Sequence, residues 1–448
     1  MPLFRRRARA AGPALAALPV VASEAPVGLL AWLTLFWPFP AVVGSTFLIA
    51  WASEVAAFFI SRGMALAVLA LLQVLPEFAV EAVLAHNAAL DPAQLQFVTA
   101  NFTGANRILV GLALPVIFLI TTLVRRRAGN PDRALRFDDV NSVEVLFLLL
   151  PSLYALSFWF RHSISLIDTA VLLLMYAAYI LVLYKLPVAG DEEKGDLQGV
   201  PAWVMRKGRR FQGSFATGAF LVGGFVLFLT VEPFVHNMQV AAVLLGISAY
   251  LVVQYVAPLL SEFPEFLTST YWSRHGKGEM AFMNVTSSKI SQWTLLIGMI
   301  PLVFVATNFT AGHGRLDLPL DKHQQVEILL TTAQGLFAAV CLLKLRFLAW
   351  EAGALLFLWA FQAVDFVWDG FLTAHDAAGA LVPAVWTHFG STLVTREWVT
   401  VAYFTLLAIE VAMYRRDWRV FGAFASVWRT HVRPQHEQPR RVAAPQAK

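Results

Sequence analysis

Four glutamates lie inside apolar stretches of the sequence and form two pairs with helical spacing. Glu77 and Glu81 are four residues apart in LLQVLPEFAVEAV, and Glu262 and Glu265 are three residues apart in APLLSEFPEFLTSTY. Side chains at these spacings share one face of a helix. Carboxylates that a helix carries through apolar surroundings must face a protein or water cavity. We therefore expect the four carboxylates to face one another.

A proline directly precedes one glutamate of each pair, namely Pro76 in the first and Pro264 in the second. In a helix, proline lacks the backbone donor and clashes with the carbonyl four residues before it. We expect it to break the helix there and to release the carbonyls of Leu72 and Leu260. Carboxylates beside free carbonyls make a site for a hard cation, since calcium and sodium prefer oxygen ligands.

The apolar segment after each glutamate pair carries small polar residues that could complete such a site. They are Asn101, Thr103, Asn284, Thr286, Ser287 and Ser288. Polar residues on a membrane helix often only bond a neighbour, and a single proline kink often serves packing alone. The presence of the whole arrangement twice favours a cation site over these structural readings.

Composition identifies the solvent of the chain as lipid. Of its 448 residues, 58% are hydrophobic and 14% are charged, whereas soluble domains carry about 25% charged residues. The mean hydropathy is +0.63, which predicts an all-α polytopic membrane protein. The net charge of +5 comes largely from short clusters beside apolar segments, which are typical of topology signals rather than of nucleic-acid binding. The single Cys341 excludes a disulfide framework and a zinc site.

The apolar windows predict the membrane spans and their directions. The predicted spans are 14–36, 39–61, 64–87, 94–123, 142–160, 164–185, 213–234, 240–273, 279–305, 325–343, 347–372 and 396–414. Lys and Arg gather in alternate loops, such as 125–136 and 185–210, which the positive-inside rule places in the cytoplasm. With that phase the two Pro-Glu segments cross the membrane in opposite directions, which is typical of inverted repeats. A cytoplasmic N-terminus requires twelve helices, and eleven with the N-terminus outside is the alternative.

These patterns divide the chain into six parts. They are 1–38, a basic N-terminus with an extra helix; 39–185, the first five-helix repeat; 186–212, a cytoplasmic linker; 213–372, the second five-helix repeat; 373–414, a loop and an extra C-terminal helix; and 415–448, a basic cytoplasmic tail. We expect the last residues of this tail, 433–448, to be disordered.

Both repeats carry parts of one motif pair, in which P-E is followed by Ser and then, in the next helix, by G-N-x-x-G-S-N-I-x-N/D. The matching residues are Pro76, Glu77, Asn101, Gly104, Asn106, Pro264, Glu265, Ser269, Asn284 and Ser288. On these residues the chain resembles the sodium/calcium exchanger type of the calcium/cation antiporter superfamily. The resemblance implies two inverted five-helix repeats (a 5+5 core), a cation site at the membrane midplane, and alternating access. It also implies that Ser269 contributes to the site.

Neither copy of the motif is complete. Glu81 stands in place of the serine that follows the first P-E, and Glu262 stands in the G-T-S position before the second. The final Asn or Asp of the motif, a cation ligand in the family, falls on Leu109 in one copy and on Gln292 in the other. The predicted site thus loses neutral oxygens and gains two carboxylates, so its calcium selectivity is an open question.

Two basic residues, Lys289 and Arg107, replace neutral residues of the motif. Each lies at least ten residues from either predicted helix end, about 15 Å at 1.5 Å per residue, which is too deep to reach the interface. We therefore expect both to be charge partners of the four glutamates. Desolvation favours the uncharged forms of buried lysine and glutamate alike, which makes proton-coupled exchange physically reasonable.

The sequence therefore predicts a secondary active antiporter that exchanges sodium and calcium, or a cation and protons. Glu77 and Glu265 are the expected primary metal ligands, Glu81 and Glu262 carry protons or balance charge, and the Asn and Ser groups complete the shell. The alternative is a non-transporting relative whose site Lys289 fills together with Arg107, with a structural or sensing role.

No enzymatic function is expected, because the sequence holds no nucleophile elbow, phosphate loop or His-rich metal set. We expect no cofactor; the ligand is the transported Ca²⁺, Na⁺ or H⁺. The expected partners are the lipid bilayer of a plasma or inner membrane and small inorganic cations, without nucleic acid. The sequence leaves open whether the chain forms a homo-oligomer.

Overall fold

The chain folds into a bundle of long helices. The computed structural model describes residues 29–56, 58–59, 62–129, 134–186, 197, 199–244, 248–377 and 392–433, with side chains for all of these except 29–32, 62–74, 365–377 and 392–394. The helices are α1 Leu29–Phe36, α2 Pro38–Ala56, α3 Arg62–Leu90, α4 Pro92–Arg127, α5 Ser142–Arg161, α6 Leu166–Lys185, α7 Gly199–Met205, α8 Arg209–Leu244, α9 Ala249–Ser261, α10 Phe263–Arg274, α11 Gly278–Ala311, α12 Lys322–Leu342, α13 Ala349–Ala377, α14 Thr392–Tyr414 and α15 Val420–Val427. Within the described residues, eight helical segments are long and apolar enough to cross a membrane. The protein is an integral, multi-pass membrane protein.

Four short strands show how the two halves of the bundle are related. They are β1 Ala134–Arg136, β2 Ser163–Ser165, β3 Asp317–Pro319 and β4 Arg346–Leu348. β1 pairs antiparallel with β4, and β2 pairs antiparallel with β3. Each ribbon combines the connection after the third helix of one repeat with the connection after the fourth helix of the other. Exchanging the two repeats therefore maps one ribbon onto the other.

The two ribbons mark opposite faces of the membrane. Helix α5 runs from β1 to β2 and has 20 residues, about 30 Å at 1.5 Å per residue, which matches the hydrocarbon core. Helix α12 runs from β3 to β4, so the fourth helices of the two repeats cross in opposite directions. This confirms the predicted inverted repeats, α2–α6 and α8–α13. We call the two sides the β1–β4 face and the β2–β3 face.

The third helix of each repeat contains a π-turn at the same place. In α4 the turn is Leu109–Ala113 and in α11 it is Gln292–Leu296, and 14 α-helical residues precede it in each case. A π-turn inserts one residue into the helix and is frequent at functional sites. The equivalent turns place the polar residues before them, in both helices, at the contact between the repeats.

Pro38 sets the end of α1. The carbonyl groups that it leaves without a donor are bonded by a residue of α8, in the part of that helix beyond its predicted span, 213–234. Pro38 has no N–H to donate to the carbonyl of Thr34, four residues before it. Asn237 Nδ2 donates instead to the carbonyls of Thr34 and Leu35, at 3.1 and 2.9 Å. The helix α8 must continue past the apolar window to bring Asn237 to that position.

The predicted separation between the first two spans differs from the structure. Only Trp37 is non-helical between α1 and α2, whereas reversing the chain between two helices takes about two to five residues. Residues 29–56 therefore form one interrupted helix. The rest of the predicted first span, 14–28, lies outside the described residues, so the choice between eleven and twelve helices stays a prediction.

Helix α14, outside the two repeats, runs parallel to α12 and is attached to it at both ends. Arg396 pairs with Glu327 near the start of α12. Glu410 pairs with Lys344 just after its end, and Lys344 also pairs with Glu351. These carboxylates are fully buried, so the pairs are structural.

The predicted linker and tail each contain a short helix. Helix α7 lies in the linker, and α15 begins five residues into the tail. The backbone N–H groups of Arg419 and Val420 both donate to the carbonyl of Leu343 at 3.0 Å, which ties the tail to the β1–β4 face. The predicted disorder falls on residues that, apart from Arg433, lie outside the described part of the chain.

Candidate cation site

Two of the predicted acids, one from each repeat, meet at one amide group. Glu77 lies near the middle of α3, Glu262 lies between α9 and α10, and Gln292 begins the π-turn of α11. Gln292 Nε2 donates to Glu77 Oε2 at 2.7 Å and to Glu262 Oε1 at 2.6 Å. A single amide group of the second repeat thus bridges a carboxylate from each repeat.

The carboxyl groups of this cluster are also close to one another. Glu262 lies within hydrogen-bonding reach of Glu77 on one side and of Glu265 on the other. Carboxylates this close cannot all be charged without compensation. A shared proton or a bound cation must lie between them.

Glu265 is held by α11, the next helix of its own repeat. Asn284 Nδ2 donates to Glu265 Oε1 at 3.0 Å, and the hydroxyl of Ser288 donates to the same oxygen. Asn284 and Ser288 are four residues apart and so lie on one face of α11. The structure therefore brings these three predicted site residues together.

Glu81 makes the corresponding contact in the first repeat. Asn101 Nδ2 of α4 donates to Glu81 Oε2 at 2.7 Å. Glu81 lies one helical turn beyond Glu77, and its described hydrogen bond is to Asn101 rather than to Gln292. The cluster therefore has three acids at its centre and Glu81 beside them.

Several buried oxygens of the cluster have no donor among the described residues. They are Glu77 Oε1, Glu81 Oε1, Gln292 Oε1 and the hydroxyl of Ser269. Buried polar atoms are nearly always paired, and oxygen is the ligand type that calcium and sodium prefer. The residues present therefore fit a cation or protons as ligand, and the predicted metal ligands Glu77 and Glu265 lie at the centre of the donor set.

The equivalent residues of the two repeats differ in exposure. Glu77 and Asn101 are buried, 3% and 2% exposed, whereas Glu265 and Asn284 are half-buried. Helix α11 starts on the β1–β4 face, because Glu279 in its first turn pairs with Arg125 at the end of α4. Asn284, in the second turn of this helix, therefore lies towards the β1–β4 face.

The two prolines act differently, which corrects the prediction that both break their helices. Pro264 follows a break at Glu262, where α9 ends and α10 begins. Pro76 lies inside the continuous helix α3. A proline in the first turn of a helix needs no donor, whereas one in the interior loses a hydrogen bond. The break at Glu262 lets this carboxyl group turn towards both Glu77 and Glu265.

Lys289 and Arg107 do not pair with the four glutamates, which corrects the predicted charge pairing. Arg107 Nη2 lies 2.7 Å from Glu327 of α12, and its Nη1 donates to Gln362 at 3.1 Å. Lys289 Nζ donates to the side-chain oxygen of Asn106 at 3.1 Å. The sequence places these residues at the right depth, but their helices turn them away from the acids.

Two of the hydroxyl groups named from the sequence are satisfied within their own helices. Thr103 donates to the carbonyl of Thr99, and Thr286 donates to the carbonyl of Phe282, each four residues before it. Ser287 instead accepts from Tyr179 at 3.1 Å. The two threonines therefore only bond a neighbour in their own helix, as polar residues on membrane helices often do.

The sequence reading missed two parts of the arrangement. The sequence shows Gln292 only as a departure from the motif. However, Gln292 lies four residues after Ser288 and so shares its helix face, which is a signal that Gln292 belongs to the site. Glu327 was not recognised, although it is a carboxylate inside an apolar window. Such a residue needs a partner by the same argument that applies to the four acids.

The chain matches a known protein family over most of its length. The model of the sodium/calcium exchanger protein family matches residues 29–185 and 215–368. The chain belongs to the sodium/calcium exchanger family. Both matched segments of this family member contain one acid pair and the helix that follows it. No curated protein matches the sequence.

Solved structures also resemble this exchanger-family chain. The crystal structure of the H⁺/Ca²⁺ exchanger CAX is 31% identical, with 93% of this chain and 94% of that chain covered and a TM-score of 0.75. The sodium-calcium exchanger NCX_Mj is 17% identical, with 74% and 97% covered and a TM-score of 0.46. Native YfkE is 14% identical, with 80% and 98% covered and a TM-score of 0.46.

Proposed function

We propose that this protein is a secondary active cation antiporter that exchanges a divalent cation, calcium first, for protons. The observation that carries the proposal is the cluster of Glu77, Glu262 and Glu265 at the contact between the repeats, in which Gln292 bridges Glu77 and Glu262. Membership of the family supports it, as does the likeness to a structure described as an H⁺/Ca²⁺ exchanger. The proposal includes no chemical reaction and no resident cofactor.

Proton coupling follows from the geometry of the carboxyl groups. Without a cation, neighbouring carboxyl groups must share protons, because adjacent negative charges in a buried site repel each other strongly. A divalent cation supplies the same compensation when the protons leave. Protons and the cation therefore bind alternately, which is the condition for exchange.

Access to the cluster changes sides when the repeats exchange roles. Glu265 and Asn284 of the second repeat are half-buried, whereas Glu77 and Asn101 of the first repeat are buried. In an inverted-repeat transporter, the opposite state follows when each repeat takes the conformation of the other. We propose that this exchange carries the cation across the membrane.

We propose that the β1–β4 face is cytoplasmic. This face carries basic residues at the end of α4, between α10 and α11, beside β4 and in the tail. The positive-inside rule places such residues in the cytoplasm, together with the linker and the tail. The membrane would then be a plasma or inner membrane.

Purified protein in proteoliposomes tests the proposal, with calcium, sodium and proton fluxes measured in one preparation. We expect calcium uptake driven by an outward proton gradient. Replacing Glu77 or Glu265 by Gln should lower the uptake by about 10- to 100-fold, because a charge-assisted contact contributes roughly 1.5–3 kcal/mol. The matched control is Glu232→Gln, which alters an exposed acid of α8. Folded protein without cation flux under any gradient would overturn the proposal.

The non-transporting alternative has no support from the contacts. It requires Lys289 and Arg107 to fill the site, and their described contacts are with Asn106, Glu327 and Gln362. Neither basic residue occupies the carboxyl groups of Glu77, Glu262 and Glu265, which can therefore bind a ligand.

A further inference from the structure

Residues 420–432 of the tail lie along the β1–β4 face rather than across the membrane. Helix α15 continues directly into a π-turn that ends at Val432. At the start of this segment, the backbone N–H of Val420 donates to the carbonyl of Leu343, just after the end of α12, at 3.0 Å. At its other end, Lys185 Nζ, from the last residue of α6, donates to the carbonyl of Val432 at 3.4 Å. Helices α6 and α12 both end on the β1–β4 face, so the segment runs parallel to the membrane plane.

The two sides of this tail segment have different surroundings. Val420, Ala423 and Val427 are buried and pack against α5 and the turn before it. On the outer side, Phe421 and Trp428 are 50% and 42% exposed. Residues seven apart share a helix face, so two aromatic side chains face away from the protein at the level of the membrane surface. Tryptophan in particular is enriched at that level.

The outer side also carries an open apolar groove with an arginine at its edge. The groove has a volume of about 370 Å³ and is lined by Phe424, Ala425, Trp428 and Arg429. The ring centres of Phe424 and Trp428 lie 5.8 Å apart. Arg429 Nε donates to the carbonyl of Ala425 at 3.1 Å, which orients the guanidinium group beside the groove.

The tail segment is basic. Residues 415–433 contain five arginines and one acid, Asp417. Arg429 and Arg433 are exposed, and the hydrogen bond of Lys185 to the residue before Arg433 adds a third positive charge. Clusters of basic residues at a membrane surface attract anionic lipids.

We propose that this tail segment is a binding site for an anionic phospholipid from the leaflet on the β1–β4 face. The groove takes part of an acyl chain, and Arg429, Arg433 and Lys185 contact the phosphate. An apolar face and basic residues on one helix in the membrane plane are the combination by which interfacial helices bind anionic membranes. A soluble anion would need the charges but not the groove. The inference does not depend on the proposed antiport.

Thermal unfolding of the purified protein in mixed micelles tests the site. Phosphatidylglycerol, compared with the same amount of phosphatidylcholine, should raise the thermal midpoint by on the order of 2–4 °C. In Arg429→Gln/Arg433→Gln, the phosphatidylglycerol concentration that gives half of the maximal rise should increase about 30-fold, roughly 5-fold for each arginine. Both arginines are exposed, so the variant should keep the wild-type midpoint in phosphatidylcholine.

The matched control is Arg126→Gln/Arg127→Gln, which removes the same charge from two exposed residues of the same face. Its titration with phosphatidylglycerol should match that of the wild type. Equal shifts in the two double variants would overturn the inference, because the lipid would then respond only to the charge of the face. The absence of any difference between the two lipids in the wild type would overturn it as well.

Two further measurements separate the groove from the charges. Trp428→Ala removes one wall of the groove without changing the charge, and it should also increase the phosphatidylglycerol concentration that is needed. An unchanged titration of this variant would overturn the acyl-chain site. Inorganic phosphate, added in phosphatidylcholine micelles, tests the other source of the same chemistry. A rise of the midpoint with phosphate alone, lost in Arg429→Gln/Arg433→Gln, would identify a site for a free anion and overturn the lipid site.

Discussion

Glu327 provides the sharpest test of the charge arrangement, because one carboxylate compensates two guanidinium groups. It is fully buried in the second turn of α12. Its Oε2 lies 2.7 Å from Arg107 and 3.1 Å from Gln254 Nε2, and its Oε1 contacts Arg396. Among the described residues, Glu327 is thus the carboxylate that forms an ion pair with Arg107.

These contacts predict an unequal effect of removing each sign of charge. Glu327→Gln keeps the shape but removes the carboxylate that contacts the buried guanidinium group of Arg107. Removing one partner of a buried ion pair costs about 3–5 kcal/mol. Arg107→Met instead leaves Glu327 in contact with Arg396, and we expect it to cost at least about 2 kcal/mol less than Glu327→Gln.

Thermal unfolding of the purified variants, followed by the loss of monodisperse protein in size-exclusion chromatography, measures the difference. Glu397→Gln is the control, since Glu397 is exposed and lies 4.0 Å from Lys322; its midpoint should stay close to that of the wild type. Equal losses of stability in Glu327→Gln and Arg107→Met would show that the carboxylate of Glu327 does not compensate the charge of Arg107.

Three further predictions follow from single contacts. Gly104→Ala should prevent folding or cost at least about 3 kcal/mol, because its Cβ would lie 1.9 Å from the carbonyl oxygen of Gln254 in α9. The control is Gly353→Ala, whose Cβ would have no atom within 4 Å, and equal yields of the two variants would contradict the prediction. Lys344→Met should lower the thermal midpoint more than Glu410→Gln does, since it leaves two buried carboxylates rather than a neutral pair; the reverse order would contradict it. Calcium binding should release protons into a weakly buffered solution, because both ligands compensate the same carboxyl groups; binding without any pH change would show that the carboxyl groups were already ionised.

The acid cluster was predictable because burial in a membrane limits what a carboxylate can do. Glu77, Glu262 and Glu265 lie deep inside apolar segments, and a charge there must face a polar interior. The ends of α5 and α6 were predictable as well, because charged residues, among them Arg161 and Lys185, bound their apolar runs. In both cases the free energy of transferring a single charged residue from water into lipid decides where that residue lies.

The partners of the two buried cations were not predictable in the same way. The sequence gives the depth of Arg107 and Lys289 but not the rotation of their helices. Gln362, one partner of Arg107, lies 255 residues after it in the chain, in the last helix of the second repeat. The paired strands have three residues each, too few for an alternating pattern to identify them. Contacts of this kind follow from the packing of whole helices.

The difference in exposure between the two repeats could not follow from the sequence either, for a reason of symmetry. Glu77 and Glu265 hold equivalent positions in the two repeats, yet Glu77 is buried and Glu265 is half-buried. A motif that occurs in both repeats cannot by itself specify a difference between them. The difference belongs to the conformation. Under the alternating access that we propose, exchanging the conformations of the two repeats would bury Glu265 and expose Glu77 instead.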